Sequence, residues 1–332
     1  MLIVMGLDSL DADTLQRYTT PSIDTISEEG EGGRMETPDG LNRDELNTQL
    51  LWPSMLAGQN PRDLFPSYYE DNSQSTKHWN TKVLSNPLVR RIEREVSNIA
   101  SSKAKRYLKS LLAQFGYEKE HVGENRLAEA GSLLDSAAAP HLISVPGISE
   151  DDMNRDLKGM IAPKSARSEG RSGYEPAGDI SLFEQKALSA DANRLIRFLN
   201  AIASRRHDFV MCHFFSLDLV QHVWADTPPK LQRWYGLYDD FVRRVRQTLS
   251  EDDTLVLVSD HGMEKEGIHS KRAFYASNRR LWKDTPRKME DLREVLESEL
   301  PRHSPADGEQ MDDSAQITND TKEHLSKLGY FS

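Results

Sequence analysis

The chain opens Leu2-Ile3-Val4-Met5-Gly6-Leu7 and runs straight into Asp8. A short, continuous apolar run of this kind suits a strand covered on both faces, because a half-solvated strand would alternate apolar with polar residues. It does not read as a signal peptide, since it lacks a basic leading region and its apolar segment is far too short. Three more runs have the same character: His141–Val145, Phe209–Phe215 and Thr254–Ser259. Between the last two lies a helical pattern from about Leu231 to Leu249, in which Trp234, Leu237, Tyr238, Phe241 and Val245 recur at helical spacing. A second helix is expected from about Ser181 to Ala203, with Phe183, Ala187, Leu188, Leu195, Phe198 and Leu199 as its apolar stripe. Short apolar runs alternating with amphipathic segments predict an α/β fold, a mainly parallel central sheet flanked by helices.

The 332 residues, 37% hydrophobic and 29% charged, suffice for one large domain or two small ones. No run of about 18 apolar residues occurs, so no membrane span is expected. The net charge is −11 and the pI about 5.5, a balance that disfavours a broad nucleic-acid-binding face and duplex binding in particular. A single cysteine, Cys212, allows no intramolecular disulfide; this fits a reducing cytoplasm, with Cys212 as a small core residue. Oligomeric state leaves no mark in the sequence.

Residues 66–135 are polar and helix-prone, with basic residues between Arg90 and Lys109 that suit a solvated helix face better than a phosphate site. Residues 149–180 and 302–320, rich in Asp, Glu, Ser, Gly and Pro, read as exposed loops. The expected organisation is one catalytic domain over 1–332, with 66–180 as a helical insertion or cap.

The ionisable residues just after the strands carry the chemistry, since open α/β sheets build their sites there. Asp8 follows the first run, Asp218 and His222 the third, and Asp260 and His261 the fourth, with His269 eight residues beyond. Each has an ordinary reading alone: a helix cap, a turn after a strand, a loop histidine. Together, six carboxylates and imidazoles at three strand exits are hard to explain by packing, because buried carboxylates are costly unless paired or bound to a cation. Two divalent metals about 3.5–4 Å apart would satisfy all six. Mixed Asp/His ligation suits Zn²⁺, with Mn²⁺ or Fe also accepted.

These segments resemble the alkaline phosphatase superfamily, particularly its type I phosphodiesterase/nucleotide pyrophosphatase-like branch. VMGLDSLD (4–11) is similar to the family's opening strand and first metal-binding aspartate, and TPSIDTISEEG (20–30) to the helix that follows. NTQLLWPSMLAGQNP (47–61) resembles the nucleophile segment, with Thr48, Trp52, Ser54, Gly58 and Pro61 in register. SLDLVQH matches the D-x-x-x-H ligand pair, VSDHGM the Asp-His pair, GIHS the last histidine, and EHLSKLGYFS the common C-terminal ending. Residues 66–180 have no recognisable counterpart.

The resemblance implies a phosphate-ester hydrolase, a phosphodiesterase or phosphomonoesterase, acting on a small nucleotide-like substrate through a phospho-threonine on Thr48. It implies that Asp8, Thr48, Asp260 and His261 hold one metal, and Asp218, His222 and His269 the other. Taken alone, Thr48 would also pass for an ordinary helix N-cap. Two features of the comparison, one of them a departure, bear on substrate. PRDLFP (61–66) stands where many relatives have a His-Gly pair, and Asn72 lies near a phosphate-binding asparagine of some relatives. Alternatives are a sulfuric ester hydrolase or phosphotransferase of the same superfamily, or a non-catalytic scaffold that binds a phosphorylated ligand. The Cys/Ser-x-Pro-x-Arg context of sulfatases is missing around Thr48, as are the serine nucleophile and large inserted domain of the related phosphoglycerate mutases.

Overall fold

The computed structural model describes residues 1–72, 122–149, 152–163, 174–176, 178–264, 267–282 and 287–300. The basic segment Arg90–Lys109, the 302–320 segment and the C-terminal EHLSKLGYFS lie outside the described residues.

Strand β1 (Leu2–Leu7) pairs in parallel with β6 (Phe209–Phe214) on one side and β7 (Thr254–Val258) on the other. Beyond β6, β3 (Pro140–Ile143) continues the parallel run. All four are the strands expected from the apolar runs. On the far side of β7 the sheet reverses: β10 (Arg272–Ser277) is antiparallel both to β7 and to β2 (Glu31–Glu36), and β11 (Arg287–Lys288) closes the edge in parallel with β2. The resulting seven-stranded order is β11-β2-β10-β7-β1-β6-β3. Two ribbons stand apart from it, β4 (Ile161–Pro163) with β5 (Tyr174–Pro176), and β8 (Gly262–Met263) with β9 (His269–Ser270). β2 and β10 are not anticipated by the sequence. Glu31-Gly-Gly-Arg-Met-Glu is half-exposed and charged, so no apolar run marks it.

Alternation along β1 divides the core in two. Ile3, Met5 and Leu7 pack with Phe183, Ala187 and Phe198 of the Ile180–Ser204 helix and with Trp234, Tyr238 and Phe241 of the Pro228–Arg246 helix. Leu188, expected in the first of these stripes, is instead 37% exposed. Leu2 and Val4 face the other way, onto Leu51, Trp52 and Met55 of the Thr48–Ala57 helix. Cys212 is buried in the first core. Among the described residues no helix is long and apolar enough to cross a membrane.

The Thr48–Ala57 helix is buried along most of its length, from Leu50 to Ala57. Asn47 caps it, its side chain accepting from the Gln49 N–H, so the N-cap role open to Thr48 in the sequence falls to its neighbour. Gly58 ends it at φ 64°, a left-handed C-cap that only glycine adopts without strain. Gly6 of β1 makes room beneath it: a Cβ there would sit 2.7 Å from the Trp52 ring.

Candidate active site

β7, β1 and β6 run side by side in one direction, so the chain leaves all three at the same edge of the sheet. Asp8 follows β1 directly, and Asp260 and His261 follow β7 after one serine. Past β6 the Ser216–Trp224 helix carries Asp218 in its first turn and His222 one turn later. β2 is parallel to β7 because β10 is antiparallel to both, so the segment leading to Thr48 leaves at that edge too. His269 arrives on β9.

The side chains gather into two groups, Asp8 with Asp260 and His261, and Asp218 with His222 and His269. In the second, His222 Nε2 lies 3.0 Å from His269 Nε2 and 3.4 Å from Asp218 Oδ1, with His269 Nε2 3.5 Å from the same oxygen. In the first, His261 Nε2 lies 3.6 Å from Asp8 Oδ1 and 3.5 Å from Asp260 Oδ2, and Thr48 Oγ1 lies 3.4 Å from that nitrogen. Donors bound tetrahedrally at about 2.0–2.1 Å would stand roughly 3.3 Å apart. Both groups therefore have the spacing of ligands arranged around a common cation.

The hydrogen bonds behind the imidazoles point the same way. His222 Nδ1 is 2.9 Å from the Gly267 carbonyl and His261 Nδ1 is 3.2 Å from the Gly262 carbonyl. A carbonyl only accepts, so each Nδ1 carries the proton and each Nε2 is left with a lone pair. His269 is likewise held by the Leu46 backbone. Two bare nitrogens 3.0 Å apart repel unless a proton or metal lies between them. Gly267, at φ 70°, lets its loop press against His222: a Cβ would come 3.2 Å from the histidine's Cα.

Electrostatics make the same demand. Asp8 and Asp260 are fully buried, and none of their four carboxylate oxygens accepts a hydrogen bond from a described donor. Burial, then the Asp260 and Asp218 carboxylates, push Asp8 well above the usual carboxylate range. Two adjacent buried carboxylates without a described donor are the arrangement that a divalent cation relieves. Asp218 behaves oppositely: burial pushes it up, but His222 and His269 outweigh that and hold it well below its ordinary value. Burial lowers His261, whereas on His269 the Asp218 carboxylate outweighs burial and raises it.

All seven sequence-derived site residues thus converge. Thr48, at the first position of its helix, and His269 are partly exposed, and the five others are buried. Asn72 ends the Pro66–Asn72 helix, and its side chain lies outside the described residues. The sequence reading missed two members. His213 on β6 is buried with its Nε2 3.4 Å from Asp8 Oδ2, and its ring packs edge-on against Trp52 at 4.9 Å. Its inward place follows from pairing with Gly6, which no local pattern reveals. Ser9 donates to Asp218 Oδ1 at 2.6 Å and lies 2.9 Å from His261 Nδ1. Its only sequence signal is adjacency to Asp8.

A family model described as type I phosphodiesterase / nucleotide pyrophosphatase matches residues 2–328. No curated protein matches the chain. Among solved structures, that of the PH0037 protein from Pyrococcus horikoshii aligns with 91% of this chain and 98% of its own, at 12% identity and a TM-score of 0.43.

Proposed function

The chain belongs to the type I phosphodiesterase / nucleotide pyrophosphatase family of the alkaline phosphatase superfamily, and on that premise we propose that it is a two-metal phosphate-ester hydrolase with Thr48 as nucleophile. One observation carries the proposal. The Thr48 hydroxyl, freed from capping by Asn47, lies 3.4 Å from a His261 nitrogen whose lone pair is directed toward two buried carboxylates that have no hydrogen-bond donor among the described residues.

Asp8, Asp260, His261 and Thr48 would hold one cation, and Asp218, His222 and His269 the other. Such cations supply Lewis acidity, lowering the pKa of a coordinated hydroxyl and offsetting charge on phosphoryl oxygens; the donor set suits Zn²⁺ and accepts Mn²⁺ or Fe. The protein contributes position. Thr48 stands at the N-terminus of a ten-residue helix, whose dipole favours an anionic phosphoryl group beside the hydroxyl. Attack by Thr48 Oγ1 on phosphorus forms the threonine–phosphate bond and breaks the bond to the leaving oxygen. Water then attacks the phospho-threonine, releasing the phosphate product and restoring the hydroxyl. The match over 2–328 supports one catalytic domain acting on a small nucleotide-like substrate; much of the 66–180 segment, expected as a cap, lies outside the described residues, and its Pro140–Ile143 stretch is a strand of the central sheet. The lone cysteine supports a cytoplasmic setting.

Hydrolysis of p-nitrophenyl phosphate, its bis ester and its sulfate tests this reading. Zinc-loaded wild type should cleave a phosphate ester in preference to the sulfate, and Thr48→Ala should lose at least about 10³-fold in kcat. Thr48→Ser should retain measurable turnover. Full metal-dependent activity in Thr48→Ala, or a wild type that binds no transition metal, would refute the proposal.

A further inference from the structure

Ser9 is fully buried and holds φ at 61°, a backbone conformation that achiral glycine adopts freely and that is unfavourable for L-residues, least so for asparagine and aspartate. Its environment is built to keep it there. The Ser9 carbonyl accepts from Gln221 Nε2 at 3.0 Å, and Gln221 Oε1 in turn accepts from the Tyr235 hydroxyl at 2.9 Å. Gln221 sits on the helix that carries Asp218 and His222, so Ser9 is tied by its main chain to the element it touches with its side chain.

The hydroxyl has one proton to give. It donates that proton to Asp218 Oδ1 at 2.6 Å, the same oxygen that faces His222 and His269. Its contact with His261 Nδ1 at 2.9 Å must then run the other way, with the imidazole N–H donating and the serine oxygen accepting. The Gly262 carbonyl on the same nitrogen independently requires that tautomer. A directional chain results, from His261 Nδ1–H to Ser9 Oγ–H to Asp218 Oδ1, and it joins the two ligand groups through one atom. The His261 and His269 rings, stacked at 4.2 Å, form a second contact between the groups but carry no such direction.

We propose that Ser9 is a positioning residue that couples the two cation sites, its hydroxyl bridging His261 Nδ1 and Asp218 Oδ1 so that His261 presents a bare Nε2 to one site while Asp218 is aimed into the other. This rests on the two-cation reading of the site. Outer hydrogen-bond partners of metal ligands act by fixing tautomer and orientation, and their loss commonly weakens metal binding by about 10–100-fold.

Two variants separate the hydroxyl from the backbone. Ser9→Ala removes the hydroxyl and keeps the strained φ; Ser9→Gly removes the hydroxyl and relieves the strain. Metal-free proteins are titrated with Zn²⁺ against a chromophoric chelator, stoichiometry is read by atomic absorption, and the His261 ring nitrogens of the zinc-loaded proteins are followed by ¹⁵N NMR. Wild type should bind two ions per chain. Both variants should bind at least one ion about 10–100-fold more weakly, with the His261 Nδ1–H resonance shifted and exchanging faster. Ser9→Gly should do so while its metal-free form melts no lower than wild type. Wild-type zinc affinity and an unmoved His261 signal in Ser9→Gly would overturn the proposal while leaving the two-cation reading intact. Failure of wild type itself to bind zinc would overturn both.

Discussion

Trp52 lies one helical turn beyond Thr48, and its fully buried ring covers Gly6 of the central strand. Trp52→Ala therefore removes packing from beneath Thr48, the proposed nucleophile, and the structure sets the size of the effect. The ring packs on the β1 backbone at Gly6 and edge-on against the His213 ring, in a core that also holds Leu2, Val4 and Met55. Large-to-small changes of buried aromatic residues cost the lost transfer energy plus about 24 cal/mol per Å³ of residual cavity, so the expected loss is about 3–5 kcal/mol. The indole N–H has no described hydrogen-bond partner, so little of this loss is polar. Trp52→Phe keeps an aromatic ring over Gly6 and should lose clearly less than Trp52→Ala. Gly6→Ala tests the contact from the other side. Its Cβ would press on the ring, costing about 1–3 kcal/mol alone, and much less in a Trp52→Ala background. Guanidinium unfolding of the four proteins gives the coupling energy, expected at about 0.5–3 kcal/mol. Phosphate-ester turnover of Trp52→Ala, measured where it is fully folded, should fall because Thr48 has lost its support. A Trp52→Ala loss below about 1 kcal/mol, or strict additivity with Gly6→Ala, would refute the claimed packing.

Three further outcomes follow from named contacts. Asp8→Asn should raise the melting temperature of chelator-treated protein at pH 8 and lower that of zinc-loaded protein. Burial and neighbouring carboxylates raise Asp8 in the fold, so stability present below its unfolded value of about 3.9 is lost as pH rises through the raised one; a variant less stable in both states would count against the account. Asp253 is the reverse case: burial pushes it up, but the Ser250 N–H and the Arg205 guanidinium outweigh that and hold it low. Its contribution is present above the unfolded value of about 3.9 and fades as pH falls through the lower folded value, so the melting temperature of Asp253→Asn should drop less than that of wild type between pH 5 and 3. Gly267→Ala places a Cβ 3.2 Å from His222 Cα at φ 70°, and calorimetry should show a loss of about 1–3 kcal/mol together with weaker zinc uptake.

What the sequence discloses and what it hides follow from where the information lies. Parallel strands buried on both faces are written as local apolar runs, and the candidate ligands just beyond them inherit that visibility, which is why Asp8, Asp218 and Asp260 stand out in the sequence. β2 and β10 are antiparallel partners whose identity depends on each other, and neither Glu31–Glu36 nor Arg272–Ser277 carries a strong pattern alone. Thr48 could not be told from an N-cap, because the decision rests on Asn47 reaching the Gln49 N–H. Ser9 was invisible as a bridge, since a positive φ at a serine and partners 209 and 252 residues away leave no local trace.

Those separations also govern when the site can exist. The Ser9 bridge joins the beginning of the chain to Asp218 and His261, and His269 comes later still. During synthesis neither ligand group can be complete until most of the polypeptide has left the ribosome and β1 has found both β6 and β7. A cation therefore cannot template the early collapse of this chain. A cation held as proposed would act instead as a late lock, adding its binding energy only once the long-range topology is correct, so that metal occupancy would report completion of the fold rather than its initiation.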